Sequence, residues 1–169
     1  MNSNFNKKVS INTNDLIWKE TENINVLEKI LSKKVNQETA LIKINKGANL
    51  RKNSTINSVE IFVIEGTYIN EFGEFNKGTY LQLGKEDEAF VTSTTGCTIF
   101  RKTNYIKNKN KIIINTESSN WLEGQGNLEV MPLFDNTALV KWPKNERFVP
   151  HNNWGGEEIL VIKGCFIDE

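Results

Sequence analysis

The chain contains a single histidine, His151, followed two residues later by Asn153 and four further on by Glu157, in the run HNNWGGE. Imidazole and carboxylate are ligand types that zinc and iron favour, whereas an amide is a poor one. Alternate residues of an extended strand share a face, so His151 and Asn153 would project together. Two ligands rarely hold a transition metal firmly. The plain alternative is that His151 and Glu157 hydrogen-bond each other or water. Thiol chemistry has little to work with, because Cys97 and Cys165 are the only cysteines and form no CxxC pair. Gly155 and Gly156 follow Trp154 as a turn, without the strand before and helix after that a phosphate loop requires.

The elements that must position these residues are written twice in the chain. Thr39, Ala40, Leu41, Lys43, Lys46, Glu60, Ile61, Val63, Ile64, Gly66, Ile69 and Glu71 all recur 98 positions later, between Thr137 and Glu169, without a gap. Further upstream the offset is 103, relating KVSINTNDLIW from Lys8 to KIIINTESSNW from Lys111 and Trp18 to Trp121. The later copy therefore loses five residues before Thr137, a change that a loop accommodates. Glu60 and Glu158 occur in both copies, which suggests a structural salt bridge or an outward position.

Read in order, residues 1–7 form a polar, disordered tail. VLEKILSKKVNQETALIKI has the Leu, Glu and Lys content of a helix, yet its counterpart NLEVMPLFDNTALVKW carries Pro132 and alternates like a strand. Because related segments share a fold, both are expected to be hairpins turning at Asn36 and at Asp135 to Asn136. Ser58 to Glu65 is a continuous apolar strand expected to end at Gly66, with turns at Glu71 to Gly73 and Asn76 to Gly78. Thr98 to Arg101 supplies a last strand, and KNKNK is a solvated linker. Short strands with regular turns predict an all-β sandwich or jelly-roll barrel. The organisation expected is a barrel over 8–104, a linker over 105–110 and a partial second barrel over 111–169.

PHNNWGGEEILVIKGCFIDE resembles the first motif of the ChrR-type cupins, which reads PHxHxGGEEILVLEGxFxDE. The resemblance implies a double-stranded β-helix in which HxHxxxE and one later histidine hold a divalent metal. In the earlier copy the matching positions are Asn53, Thr55, Val59 and Ala89, so no metal cofactor is expected there. The later copy keeps His151 and Glu157, has Asn153 in place of the second histidine, and ends before the strand bearing the last one. It could hold zinc or iron only as a remnant site or with help from another chain.

The 21 Lys and Arg balance the 21 Asp and Glu, so no general field attracts nucleic acid or anionic membrane. With no apolar run near the ~20 residues of a membrane span and no signal-peptide core, the expectation is a cytoplasmic protein. ChrR-like anti-sigma factors carry an N-terminal zinc module, but here no Cys precedes Cys97 and no His precedes His151. The leading reading is a degenerate ChrR-like cupin: a non-catalytic module that binds a small molecule, regulates or serves structurally. The alternative is a metal-dependent dioxygenase acting on a small diketone or aromatic substrate, its site completed by another chain or by residues outside this sequence. Strand edges left open after Glu169 make a homodimer a further expectation. Trp121, Trp142 and Trp154 could line an aromatic pocket, although Trp in small barrels more often covers core or edge.

Overall fold

In the computed structural model, residues 1–4, 6–51, 56–85, 87, 90–106, 110–147 and 155–167 are described. Thirteen strands and no helix are found among them: β1 (Lys19–Glu20), β2 (Val26–Lys34), β3 (Gln37–Ile44), β4 (Asn49–Arg51), β5 (Ser58–Asn70), β6 (Gly73–Asn76), β7 (Thr79–Gly84), β8 (Phe90–Thr92), β9 (Cys97–Thr103), β10 (Ile112–Asn115), β11 (Leu122–Glu123), β12 (Glu129–Phe134) and β13 (Thr137–Lys141). All pairings are antiparallel. One path runs β1-β2-β3-β9-β5-β7-β10, and β4, β6 and β8 attach to its far side through β5. β11, β12 and β13 form a separate three-stranded sheet. No helix here is long and apolar enough to cross a membrane, which says nothing of strands.

The segment with helical composition, VLEKILSKK, is strand β2. Its side chains alternate between the barrel interior and an outer face that is also covered, and this two-sided burial outweighs helix propensity. The hairpins β2–β3 and β12–β13 share one register and one irregularity. Ile30 opposes Ala40 and Ser32 opposes Thr39, with Leu31 bulged between them; Pro132 opposes Ala138 and Phe134 opposes Thr137, with Leu133 bulged. Both bulged leucines are buried, and a bulge also tolerates the missing N–H of Pro132. The earlier hairpin is longer by the pairs Lys33–Glu38 and Lys34–Gln37. Losing two facing pairs keeps every remaining side chain on its face.

β5 differs from expectation. It does not stop at Gly66 but runs on to Asn70, changing partners on the way. Before the glycine it lies between β7 and β9; beyond it, it pairs with β6 and β8. The register shifts between Val63 and Glu65, and Gly66 has φ +75° with its α-carbon against the Gly96 carbonyl. Only glycine fits there, so the residue bends the strand from one sheet into the other.

Met1 and Asn2, read from sequence as part of a tail, lie along β2. Lys33 N donates to Met1 O at 2.8 Å and Asn2 Nδ2 donates to Leu31 O at 2.9 Å. β1 pairs with β2 only at Leu27 and Glu28, and the terminal residues satisfy backbone groups further along that strand.

Alternate residues face the barrel interior: Ala40, Ile42 and Ile44 of β3, Val59, Ile61 and Val63 of β5, Leu81 and Leu83 of β7, Cys97 and Ile99 of β9. Each large apolar side chain buried in this way stabilises the fold by about 1.5–3 kcal/mol. The opposite face of the same sheet is also covered. Tyr80 packs with Met131 and Leu133, with Phe62, Trp121 and Leu139 around them. The outer face of β5 and β7 is thus roofed by the β11–β13 sheet. β10 reinforces the join by adding to the free edge of β7, Ile112 opposite Gln82 through Asn115 opposite Thr79.

Candidate functional site

A cavity of about 550 Å³ lies within the β1–β9 barrel alongside β2. Its walls are apolar where Val26, Ile42, Ile44, Ile61 and Ile99 converge, with Glu28 opposite Ile42, and charged towards the β2–β3 turn, where Lys33, Glu38 and Arg101 enter. Strand periodicity places these charges. Glu38 continues the inward row Ala40, Ile42, Ile44, and Arg101 continues Cys97, Ile99. Arg101 Nη2 donates to Glu38 Oε1 at 2.9 Å, and Lys33 Nζ donates to Glu38 Oε2 at 2.8 Å. Burial works to raise the Glu38 pKa, but the hydrogen bonds and charges of Lys33 and Arg101 outweigh it and hold the carboxyl below its ordinary value. Arg101 Nε is buried and has no partner among the described residues. A buried unpaired donor costs roughly 1–3 kcal/mol, so a ligand acceptor placed there would recover that energy.

The metal positions implied by the resemblance fare differently. Val59 is buried at 3% exposure in the barrel core, with a side chain that has no donor atom. Asn53, Thr55, Ala89, His151 and Asn153 lie outside the described residues. Glu157 is described and exposed. No group of three or more His, Cys, Asp or Glu that could hold a metal is found among the described residues. The described part of the earlier site does not fit a metal.

Glu60 and Glu158 are placed by contacts between the two halves. Glu60, 6% exposed, accepts from Tyr80 Oη at 2.7 Å and from Thr137 Oγ1 at 2.9 Å. Burial, then the Glu60 charge and its hydrogen bond, push the Tyr80 hydroxyl well above its usual value. Glu158 accepts from Thr39 Oγ1 at 3.2 Å and pairs with Lys102 at 3.0 Å. The described tryptophans do not line the cavity. Trp121 packs under the β11–β13 sheet with Lys141 Nζ 3.6 Å above its ring. Trp142 meets Phe166 at 5.0 Å between ring centroids, and Trp154 lies outside the described residues. Cys97 is buried and Cys165 exposed, both as free thiols.

Sequence reasoning missed Lys33, Glu38 and Arg101. The signal was present, a charge in phase with an apolar row in both QETALIKI and CTIFRKT, but its value depended on knowing that the two rows face each other.

Comparisons with known proteins fit this architecture. Among curated proteins none matches the chain. In the crystal structure of Rhodobacter sphaeroides SigE in complex with the anti-sigma ChrR, a chain is matched at TM-score 0.47 and 18% identity, covering 53% of this chain and 50% of that one. The chain thus spans half the length of that relative. A Methylibium petroleiphilum PM1 protein provisionally assigned as an acetylacetone dioxygenase is similar at TM-score 0.53 and 11% identity, over 67% and 85% of the two chains. A Pseudomonas aeruginosa protein provisionally assigned as glyoxylate-induced is similar at 0.55 and 9%, over 71% and 54%. At such identities the likeness concerns the fold, which is the all-β cupin type. The model of the ChrR cupin-like domain matches residues 6–107 and 109–169, and on that match, across nearly all its length, the chain belongs to the ChrR cupin-like family.

Proposed function

We propose that this chain is a non-catalytic cupin module whose β1–β9 barrel receives a small, mainly apolar molecule carrying one hydrogen-bond acceptor. The observation that supports this best is the pairing of a cavity of about 550 Å³, apolar at one end and charged at the other, with a buried, unmatched Arg101 Nε on its wall. That size falls within the roughly 300–1,000 Å³ of ordinary ligand sites. Ile42, Ile44, Ile61 and Ile99 make one wall apolar, so the ligand is held there by burial and oriented by Arg101. Glu38 fixes the guanidinium by taking Nη2, which leaves Nε for the guest. A regulatory role follows if the guest alters contacts with a partner; a structural role follows if it only fills the barrel.

Calorimetric titration of the purified chain with short aliphatic and aromatic carboxylates, their amides and small diketones tests this reading. Binding is expected for members that pair an apolar body with an acceptor, and Ile61→Phe, which puts a larger ring into the apolar end of the cavity, should weaken it in protein that remains folded by circular dichroism. Arg101→Met should weaken it about tenfold, as the loss of one charge-assisted hydrogen bond implies. Equal binding by wild type and Ile61→Phe would overturn the proposal. Oxygen uptake with ferrous iron and a diketone, lost on His151→Ala, would instead support the dioxygenase reading.

A further inference from the structure

We infer that residues 9–12 and 158–162 are the two walls of a slot for one antiparallel polypeptide strand with the sequence pattern of β7, supplied from outside these 169 residues. The inference is independent of the cavity and its guest.

One wall follows from the 98-residue offset. Ile159, Leu160, Val161 and Ile162 correspond to Ile61, Phe62, Val63 and Ile64. In β5, Ile61 and Val63 are 2% and 0% exposed: they face the barrel interior from a strand held between β7 and β9. Their counterparts Ile159 and Val161 are 43% and 46% exposed and lie in no strand. The same sequence that makes a central strand in one half stands bare in the other.

The second wall follows from the 103-residue offset. Ile112 to Asn115 of β10 occupy the edge of β7 opposite β5, and their counterparts are Val9 to Asn12, which are in no strand. Val9 is 50% exposed. Both neighbours of β7 therefore have a counterpart in the chain, and both counterparts lack a ladder.

The two walls stand over one surface. Glu158 accepts from Thr39 on β3. Thr13, next to Asn12, accepts through its carbonyl from Lys29 Nζ at 2.8 Å. Lys29 lies opposite Leu41, and Leu41 shares a face with Thr39, two residues away. In the same way β5 and β7 lie over the β12–β13 hairpin, with Glu60 on Thr137 and Tyr80 on Met131.

The pairing of β7 defines the occupant. Tyr80 sits between Phe62 and Ile114, and Gln82 between Glu60 and Ile112. A strand in the slot would be read between Leu160 and Ile11 at the first position and between Glu158 and Val9 at the second. It needs apolar residues where β7 has Leu81 and Leu83, and a tyrosine whose hydroxyl reaches Glu158 as Tyr80 reaches Glu60. β7 cannot serve, since both of its edges are taken.

A synthetic peptide with the sequence of residues 77–85 is the probe, added to the full-length chain and followed by calorimetry and amide hydrogen exchange. Stoichiometric binding is expected, with new protection at 9–12 and 158–162. Replacing the peptide's tyrosine by phenylalanine should weaken binding about tenfold to wild type but not to Glu158→Gln. Leu160→Pro, which removes a backbone donor from the wall, should abolish binding while exchange in β5 and β9 stays unchanged. Absence of binding would overturn the inference. So would protection only at 58–62 and 112–115, which would mean that the peptide displaced β7, or protection at the two walls that rises with protein concentration in the absence of peptide, which would make a second copy the occupant.

Discussion

Thr137 Oγ1 donates to Glu60 at 2.9 Å, and Thr39, 98 residues before Thr137, donates through Oγ1 to Glu158, 98 residues after Glu60, at 3.2 Å. The two bonds are reciprocal: the hairpin of each half meets the carboxylate of the other. Such self-complementarity is the mark of an interface built around a two-fold relation. It explains why this glutamate recurs where the metal motif does not: the carboxylate joins the halves.

The two bonds differ in what surrounds them. Glu60 is buried, so Thr137→Val should destabilise the chain by about 1.5–3 kcal/mol, the usual value for a hydrogen bond to a charged group. Glu158 keeps Lys102 and partial exposure, so Thr39→Val should cost less than about 1 kcal/mol. Urea denaturation followed by tryptophan fluorescence measures both, and equal losses would contradict the assignment.

Gly66→Ala should be far more damaging than its size suggests. The residue holds φ +75°, and an added methyl collides with the Gly96 carbonyl oxygen. Strain and overpacking together predict a loss above about 3 kcal/mol. The same change at Gly47, also at φ +75° but with open space around it, carries only the conformational penalty, and the two melting temperatures should differ accordingly.

The Glu38 carboxyl sets an acid limit on the barrel. Its folded-state pKa lies below the unfolded value, so its contribution to stability is fully present above the unfolded value of about 4.3 and drains away as pH falls through the folded one. The wild-type melting temperature should decline more steeply below about pH 4.5 than that of Glu38→Gln, which starts lower. Lys33, raised by the same hydrogen bond, should hold its own contribution until strongly alkaline pH.

The two thiols should behave oppositely towards an alkylating reagent at pH 8. Burial pushes Cys97 up to about 11, whereas Cys165 is exposed. Mass spectrometry should show one rapid addition per chain, at Cys165, and a second only on unfolding.

The sequence by itself determined the class of fold, both hairpin turns and the equivalence of the halves, because strand alternation, turn residues and a gapless offset are local properties of the chain. From their persistence it suggested a structural salt bridge or an outward position for Glu60 and Glu158; Glu158 pairs with Lys102, whereas Glu60 is buried and held by hydrogen bonds. It could not determine that Arg101 and Glu38 share a cavity wall, that Gly66 bends a strand instead of ending it, or that β10 joins the sheet of the earlier half. Those depend on which strand edges and faces meet across 30 to 63 residues, and pairing at that distance is decided by the packing of the whole barrel. His151 and Asn153 lie outside the described residues, and Glu157 is exposed. The motif that most resembled chemistry therefore remains legible in sequence alone, while the interior cavity came from tertiary structure.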